Sequence, residues 1–127
     1  IKNGAVQGFG LDGVRVFSGV VDSVRASHNT VGFQTSSNDQ SVVMTNCVAS
    51  LNYIGFETTS ATVSHSHAAR NELGFSGGAL AFVSNSSATF NKLAFDGVAA
   101  HATSTYNNKA LGAVKSMGNN VNQGSVY

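Results

Sequence analysis

The chain has 127 residues, 42% of them hydrophobic and only 10% charged, with a formal net charge of +1. Glycine, serine, asparagine, threonine, alanine and valine dominate, which is typical of one β-rich, turn-rich domain and not of a helical bundle or a disordered tail. The basic residues are scattered singly and form no stripe that would neutralise a phosphate backbone, so nucleic acid is not an expected partner.

No apolar run approaches the length of a membrane span and no signal peptide is recognisable, so no membrane partner is expected. Because the chain begins at Ile1 without a methionine, we expect a mature or truncated piece of a longer protein. The single cysteine, Cys47, excludes an internal disulfide and cannot form a zinc site alone. We interpret it as a small buried hydrophobic residue without a base beside it.

Residues 1–20 contain short alternating apolar pieces separated by glycines, which predicts strand, turn and strand in an irregular first coil. From residue 21 to 115 a short motif recurs: an asparagine, an aliphatic residue two positions later and a phenylalanine two positions after that. The phenylalanines lie 23, 19 and 20 residues apart. A fainter copy runs from Asn107 to Leu111. The asparagines are Asn29, Asn52, Asn71 and Asn91, and the phenylalanines are Phe33, Phe56, Phe75 and Phe95.

A period near 20 residues indicates a solenoid, and helix-pair repeats are longer than this. Each repeat contains about three short pieces with apolar residues two apart, so we predict an all-β parallel β-helix of about six coils. Residues at one repeat position then stack as a column: the phenylalanines form an internal stack. The asparagines form a ladder at a turn and tolerate a left-handed backbone there. Residues 34–41 are expected to bulge as a loop, and residues 116–127 to form an irregular end or cap.

The run from Ile1 to Val16 and the Asn-x-aliphatic-Gly-Phe repeats resemble the right-handed parallel β-helix superfamily that includes pectate lyase-like proteins. The resemblance covers residues 1–127 and implies one right-handed solenoid domain, in a secreted or cell-surface protein. It does not imply one activity, because the fold carries lyases, hydrolases, epimerases, tailspikes and adhesins. The clustered aspartates and the Arg-x-Lys motif of the lyases do not occur in this chain.

If the aliphatic residue and the phenylalanine of each motif point inward, the residue between them points outward and forms a strip with almost no side chains. Polar residues on both sides would let this strip bind a polysaccharide or another protein; the alternative is that glycine serves only backbone curvature. The strip consists of Gly32, Gly55, Gly74 and Ala94. Its flanks are Thr30, Tyr53, Glu72 and Lys92 on one side and Gln34, Glu57, Ser76 and Asp96 on the other.

Glu57, Asp96 and Glu72 are the candidates for acid–base catalysis. Glu57 and Asp96 share a column two coils apart, about 10 Å by strand spacing, which is slightly beyond the separation in an inverting glycosidase. His65 and His101 are assigned to another column with Asn85 between them, too far apart to share a zinc ion. We therefore predict no metal site and no cofactor, and interpret these histidines as solvent-facing bend residues.

The sequence favours a non-catalytic structural or carbohydrate-binding module, with Tyr53, Glu57, Glu72, Lys92 and Asp96 as candidate ligand-binding residues. The first alternative is a lyase or hydrolase acting on a polysaccharide, or a fragment of one. The second is a self-assembly module, because the open ends of a solenoid expose unpaired strand edges that favour homo-oligomers.

Overall fold

The computed structural model describes residues 1–36, 41–78, 81–106, 114–118 and 120–123. Parts of the predicted loop at 34–41 and of the predicted cap at 116–127, and the faint repeat copy at 107–111, lie outside the described residues. The described residues form seventeen β-strands and no helix. The strands are β1 (Lys2–Gln7), β2 (Asp12–Val16), β3 (Gly19–Ser27), β4 (Val31–Thr35), β5 (Val42–Thr45), β6 (Val48–Ser50), β7 (Ile54–Thr58), β8 (Ala61–Ser64), β9 (His67–Ala69), β10 (Leu73–Gly77), β11 (Phe82–Ser84), β12 (Ser87–Thr89), β13 (Leu93–Asp96), β14 (Val98–His101), β15 (Ser104–Tyr106), β16 (Val114–Ser116) and β17 (Val121–Gln123).

The strands pair in parallel with strands of the neighbouring coils, which confirms the predicted all-β parallel solenoid, with about 5 turns. The coils have three faces. Face 1 contains the first half of β3 followed by β5, β8, β11, β14 and β16. Face 2 contains β1, the second half of β3, and then β6, β9, β12, β15 and β17, so that β3 turns the corner between the two faces. Face 3 contains β2, β4, β7, β10 and β13.

The predicted phenylalanine column is confirmed and forms the centre of the core. The rings of Phe33, Phe56, Phe75 and Phe95 are stacked nearly parallel, with centroids 4.8, 4.8 and 5.1 Å apart. All four are essentially inaccessible to solvent. The ring spacing matches the distance between neighbouring strands, because each coil contributes one ring at the same position. Aromatic burial of this size is a main source of stability in a narrow core.

The predicted asparagine ladder is also confirmed. The backbone N–H of Asn52 donates to Oδ1 of Asn71 at 2.9 Å, and the Asn52 side-chain amide donates to the same oxygen at 3.2 Å. Nδ2 of Asn52 also donates to the carbonyl of Ala26 in the preceding coil at 3.1 Å. The same bonds recur from Asn71 to Asn91, and each ladder residue is buried. The ladder satisfies backbone groups that the turn would otherwise leave unpaired inside the protein.

Three corners separate the three faces of a coil, and two of them, between faces 1 and 2 and between faces 2 and 3, are each made by one residue in the left-handed region. The prediction that the asparagines themselves adopt this conformation is wrong, because the residue before each asparagine does so. At this bend, between faces 2 and 3, the residues are His28, Leu51, Arg70 and Phe90, with φ of 56–57°. Between faces 1 and 2 they are Ser23, Asn46, His65, Asn85 and Ala102, with φ of 44–58°.

The last coil is displaced by one residue from the predicted alignment. Aligning the repeats on Asn107 makes Ser104 the counterpart of Ala88 and Ala99 the counterpart of Val83, whereas the structure pairs Thr105 with Ala88 and Ala100 with Val83. The alignment used Asn107 as the reference for the last coil, and Asn107 follows Asn91 by only 16 residues. Because of this short spacing, the residues that precede Asn107 in the last coil were each assigned one position too early. At the end of the described chain, β17 continues face 2 by pairing with β15.

Candidate functional site

The outer surface of face 3 and the bend before it carry the residues predicted to bind a ligand. Tyr53, Glu72 and Lys92 lie on successive coils at the entrance to the face, and all three are exposed. Tyr53 is 59% exposed, and Lys92 Nζ lies 3.1 Å from Glu72 Oε2. These three residues form the corner column, the first flank of the predicted strip.

The second flank, the carboxylate column, lies on the far side of face 3. Glu57 pairs with Ser76 and Ser76 with Asp96, so a whole coil separates the two carboxylates, about 10 Å by strand spacing. Glu57 Oε2 accepts a hydrogen bond from Nε2 of Gln34 at 2.7 Å. Glu72 lies in the opposite flank, so the three candidate acids occupy separate positions on the surface.

The strip between the flanks differs from the prediction. Gly32, Gly55 and Gly74 are buried, not exposed, and Ala94 is fully buried. A Cβ on Gly55 would lie 2.6 Å from the carbonyl oxygen of Gly74 and 2.9 Å from Nδ2 of Asn71. The strand therefore departs from strict alternation, because the glycine and the phenylalanine that follows it are both buried. The half-exposed side chains between the flanks are Ile54, Leu73 and Leu93, and we call them the aliphatic strip.

A groove that the sequence did not predict runs along the corner column. It encloses about 520 Å³, and buried ladder asparagines form part of its lining. Leu51, Arg70 and Phe90 contribute bulky side chains from successive bends, opposite Glu72 and Lys92. Leu51 is 46% and Phe90 52% exposed, and Phe90 also packs edge-to-face against Tyr106 at 6.0 Å. We call this feature the corner groove.

The backbone of the corner groove is strained at its bulky residues. Leucine and phenylalanine rarely adopt positive φ, because Cβ then approaches the carbonyl oxygen, and glycine or asparagine avoids this cost. Leu51 and Phe90 adopt it while leaving about half of their apolar surface in water. Strained, exposed residues of this kind are concentrated at functional sites. The sequence signal was present, since one bulky residue precedes each motif asparagine from Leu51 onward.

Arg70 lies between these two residues in the stack of bends and gives the groove a positive group. Among the described residues, no carboxylate lies within salt-bridge distance of its guanidinium. Lys92, by contrast, is paired with Glu72. The groove thus combines an unpaired cation, an ion pair and two exposed apolar side chains.

The prediction that His65 and His101 share a column is wrong for His101. His65 and Asn85 occupy the bend between faces 1 and 2, but the next residue in that column is Ala102. His101 instead pairs with Ser84 on face 1. The same displacement of the last coil explains this difference. In the part of the chain that the structure describes, no three His, Cys, Asp or Glu side chains converge as metal ligands.

Cys47 is fully buried, as predicted, and its thiol contacts the carbonyl oxygens of Thr45 at 3.2 Å and Val21 at 3.7 Å. Burial raises the pKa of this thiol and keeps it protonated at neutral pH. Its position therefore favours a packing role over nucleophilic chemistry.

Within the described ranges, no helix is long and apolar enough to cross a membrane. No protein-family model, no curated protein and no solved structure matches this chain. Its function is therefore inferred from the placement of its own residues.

Proposed function

We propose that this chain is a carbohydrate-binding module, non-catalytic toward the glycan that it binds, built on a parallel β-solenoid of the pectate lyase-like kind. The observation that carries the proposal is the corner groove, where Leu51, Arg70 and Phe90 face the corner column across successive coils. Tyr53, the member of the corner column one coil before Glu72, adds an exposed aromatic ring outside the lining of the groove.

The chemistry of the groove suits a sugar chain. A pyranose ring presents an apolar C–H face and a polar rim of hydroxyl groups, so it packs against an aromatic or aliphatic side chain and also hydrogen-bonds charged groups. Phe90 and Leu51 supply the first kind of contact, and Arg70 with the Glu72–Lys92 pair supplies the second. Because the groove crosses several coils and is open to solvent, it favours an extended polymer over a small enclosed ligand.

The separation of the carboxylates favours binding over cleavage. A retaining glycosidase needs its two carboxyl groups about 5 Å apart and an inverting one about 6.5–9.5 Å. Glu57 and Asp96 have Ser76 between them, and Glu72 is engaged by Lys92. We therefore expect bound glycan to be released unchanged.

A glycan array with the purified chain tests this proposal. We expect binding to one class of polysaccharide, weakened about tenfold or more by Phe90→Ala or Arg70→Ala, because each removes a side chain that lines the exposed groove. Phe17→Ala is the matched control, since Phe17 is exposed to a similar extent, 59% against 52% for Phe90, but lies near the N-terminal end of the solenoid. Absence of binding to any glycan, or binding that both groove variants leave unchanged, would overturn the proposal.

A second candidate function is self-assembly, and a different observation favours it. Large apolar side chains are exposed at the N-terminal end of the solenoid, where β1 and β2 each lack a paired strand on one edge among the described residues. These side chains are Ile1, Phe9, Leu11, Phe17 and Val20, which are 56–77% exposed. A second copy of the chain would cover this surface.

A further inference from the structure

A pair of side chains on face 2 has the geometry of a nucleophile and its base. His67 in β9 and Ser87 in β12 occupy paired positions on neighbouring coils. Nδ1 of His67 lies 2.6 Å from Oγ of Ser87, and its Nε2 lies 3.2 Å from Oγ1 of Thr89. All three residues are half-buried, so they are ordered by their neighbours and still accessible from solvent.

These contacts are compatible with an imidazole tautomer in which Nδ1 accepts a hydrogen bond. A neutral imidazole donates from one nitrogen and accepts at the other. If Nε2–H donates to Thr89, then Nδ1 is free to accept the hydroxyl proton of Ser87. Burial lowers the pKa of His67 below its usual 6.5, so the ring is neutral at pH 7 and able to accept a proton. Serine is a weak nucleophile by itself and needs a base placed in this way.

The pair opens into a cavity that could receive a substrate. It is an open depression of about 430 Å³, lined by His65, His67, Asn85, Ser87 and Ser104, among others. Asn85 is exposed on the bend two residues before Ser87, and its side-chain amide supplies the kind of donor that stabilises an oxyanion. A nucleophile, its base and a side-chain amide thus border one cavity, while Thr89, which contacts the base, lies outside the lining.

We propose that Ser87 and His67 hydrolyse small acyl esters, an activity separate from glycan binding in the corner groove. Ser87 Oγ attacks the carbonyl carbon of the ester while its proton passes to Nδ1 of His67. The ester C–O bond then breaks, and the alcohol leaves with that proton. Water next attacks the acyl-Ser87, gives a proton to His67 and releases the carboxylic acid, after which the proton returns to Ser87. No oxidant, metal or second substrate is required.

Hydrolysis of p-nitrophenyl acetate by the whole chain, followed by mass spectrometry for an acetyl group on Ser87, tests the proposal. We expect Ser87→Ala and His67→Gln each to lower the rate above background by about 100-fold, the usual contribution of a general base. Ser50→Ala is the matched control, because Ser50 is also a half-buried serine of face 2 but lies outside the lining of this cavity, and it should keep full activity. The rate of the unmodified chain should fall as the pH decreases through the lowered pKa of His67, because protonated imidazole cannot accept the proton.

The control variants also separate the proposal from simple imidazole chemistry. Exposed histidines hydrolyse this ester slowly without a serine, so a rate that Ser87→Ala leaves unchanged, or an acetyl group found only on histidine, would overturn the assignment. Thr89→Val tests the positioning role of Thr89, and we expect it to shift the pH profile without altering the melting temperature by more than a few degrees. If the Ser87→Ala variant no longer melts cooperatively, Ser87→Thr takes its place. This variant keeps a hydroxyl group, but its added methyl group hinders attack on the ester carbonyl. A rate for Ser87→Thr equal to that of the unmodified chain would contradict the proposal.

Discussion

Three of the four stacked phenylalanines follow a glycine at which neighbouring coils approach closely, and the fourth follows Ala94. Gly55→Ala would place a methyl group 2.6 Å from a backbone oxygen of the next coil, where nothing flexible can move aside. We expect a loss of about 1–3 kcal/mol in the free energy of unfolding, the usual cost of overpacking, measured by urea denaturation. Gly4→Ala is the control, because a Cβ there meets no atom within 4 Å. Equal stability of the two variants would show that the coils can separate at Gly55.

The asparagine ladder holds the turn through bonds that water cannot replace. Asn71 accepts from the backbone and side chain of Asn52 and donates to the carbonyl of Ala49 at 3.1 Å. Asn71→Ala leaves those buried groups unpaired, at a cost of about 1–3 kcal/mol for each group that stays unsatisfied. We expect a clear decrease in melting temperature by calorimetry. Glu72→Ala, a change at the next, exposed position, should have little effect. A melting temperature unchanged by Asn71→Ala would mean that the ladder contributes nothing net.

At the scale of the strands and bends, the structure explains why the sequence revealed the core but not the groove. The Phe and Asn columns were predictable, because buried stacked positions tolerate few residue types and therefore recur visibly. The orientation of Gly55 was not predictable, because strict alternation assigns it to the outside, whereas the structure buries both Gly55 and Phe56. Leu51 and Phe90 gave no turn signal, since turn chemistry favours glycine or asparagine at positive φ. The one-residue error in the alignment of the last coil arose because that alignment relied on a single short repeat.

The bend at Leu51 allows a direct test of the hypothesis that backbone strain is retained there because the side chain serves binding. Leu51→Asn places a residue that tolerates positive φ at a position where leucine does not, which saves about 1 kcal/mol of backbone strain. We expect the free energy of unfolding to stay equal or to rise, while glycan binding weakens because an apolar wall of the corner groove is lost. Parallel denaturation and glycan titrations measure the two effects. A variant that binds as well as the unmodified chain would show that Leu51 is outside the binding surface.

At the scale of the whole molecule, a solenoid differs from a closed globule because its core columns continue to its ends. The three faces shield the core columns from solvent laterally. A coil at an end of the solenoid, however, has a neighbouring coil on one side only. The β1 and β2 edges leave backbone N–H and C=O groups unpaired toward the end of the solenoid, next to the exposed apolar residues. Such an edge is a template for pairing with another chain.

We therefore expect the chain to associate with itself through its N-terminal end. Sedimentation velocity should show a mass above that of the monomer, increasing with concentration, because both apolar burial and strand pairing favour contact there. The local charges do not oppose it, since Lys2 lies 3.8 Å from Asp22 and Arg15 2.8 Å from Asp12. Leu11→Arg, at the most exposed of these apolar positions, should return the chain to a monomer by placing like charges opposite each other in a symmetric contact. Leu51→Arg is the matched control at an exposed leucine away from that end, and it should leave the association unchanged. A monomer mass at every concentration would contradict assembly through this end and would leave glycan binding as the sole proposal for the exposed surfaces.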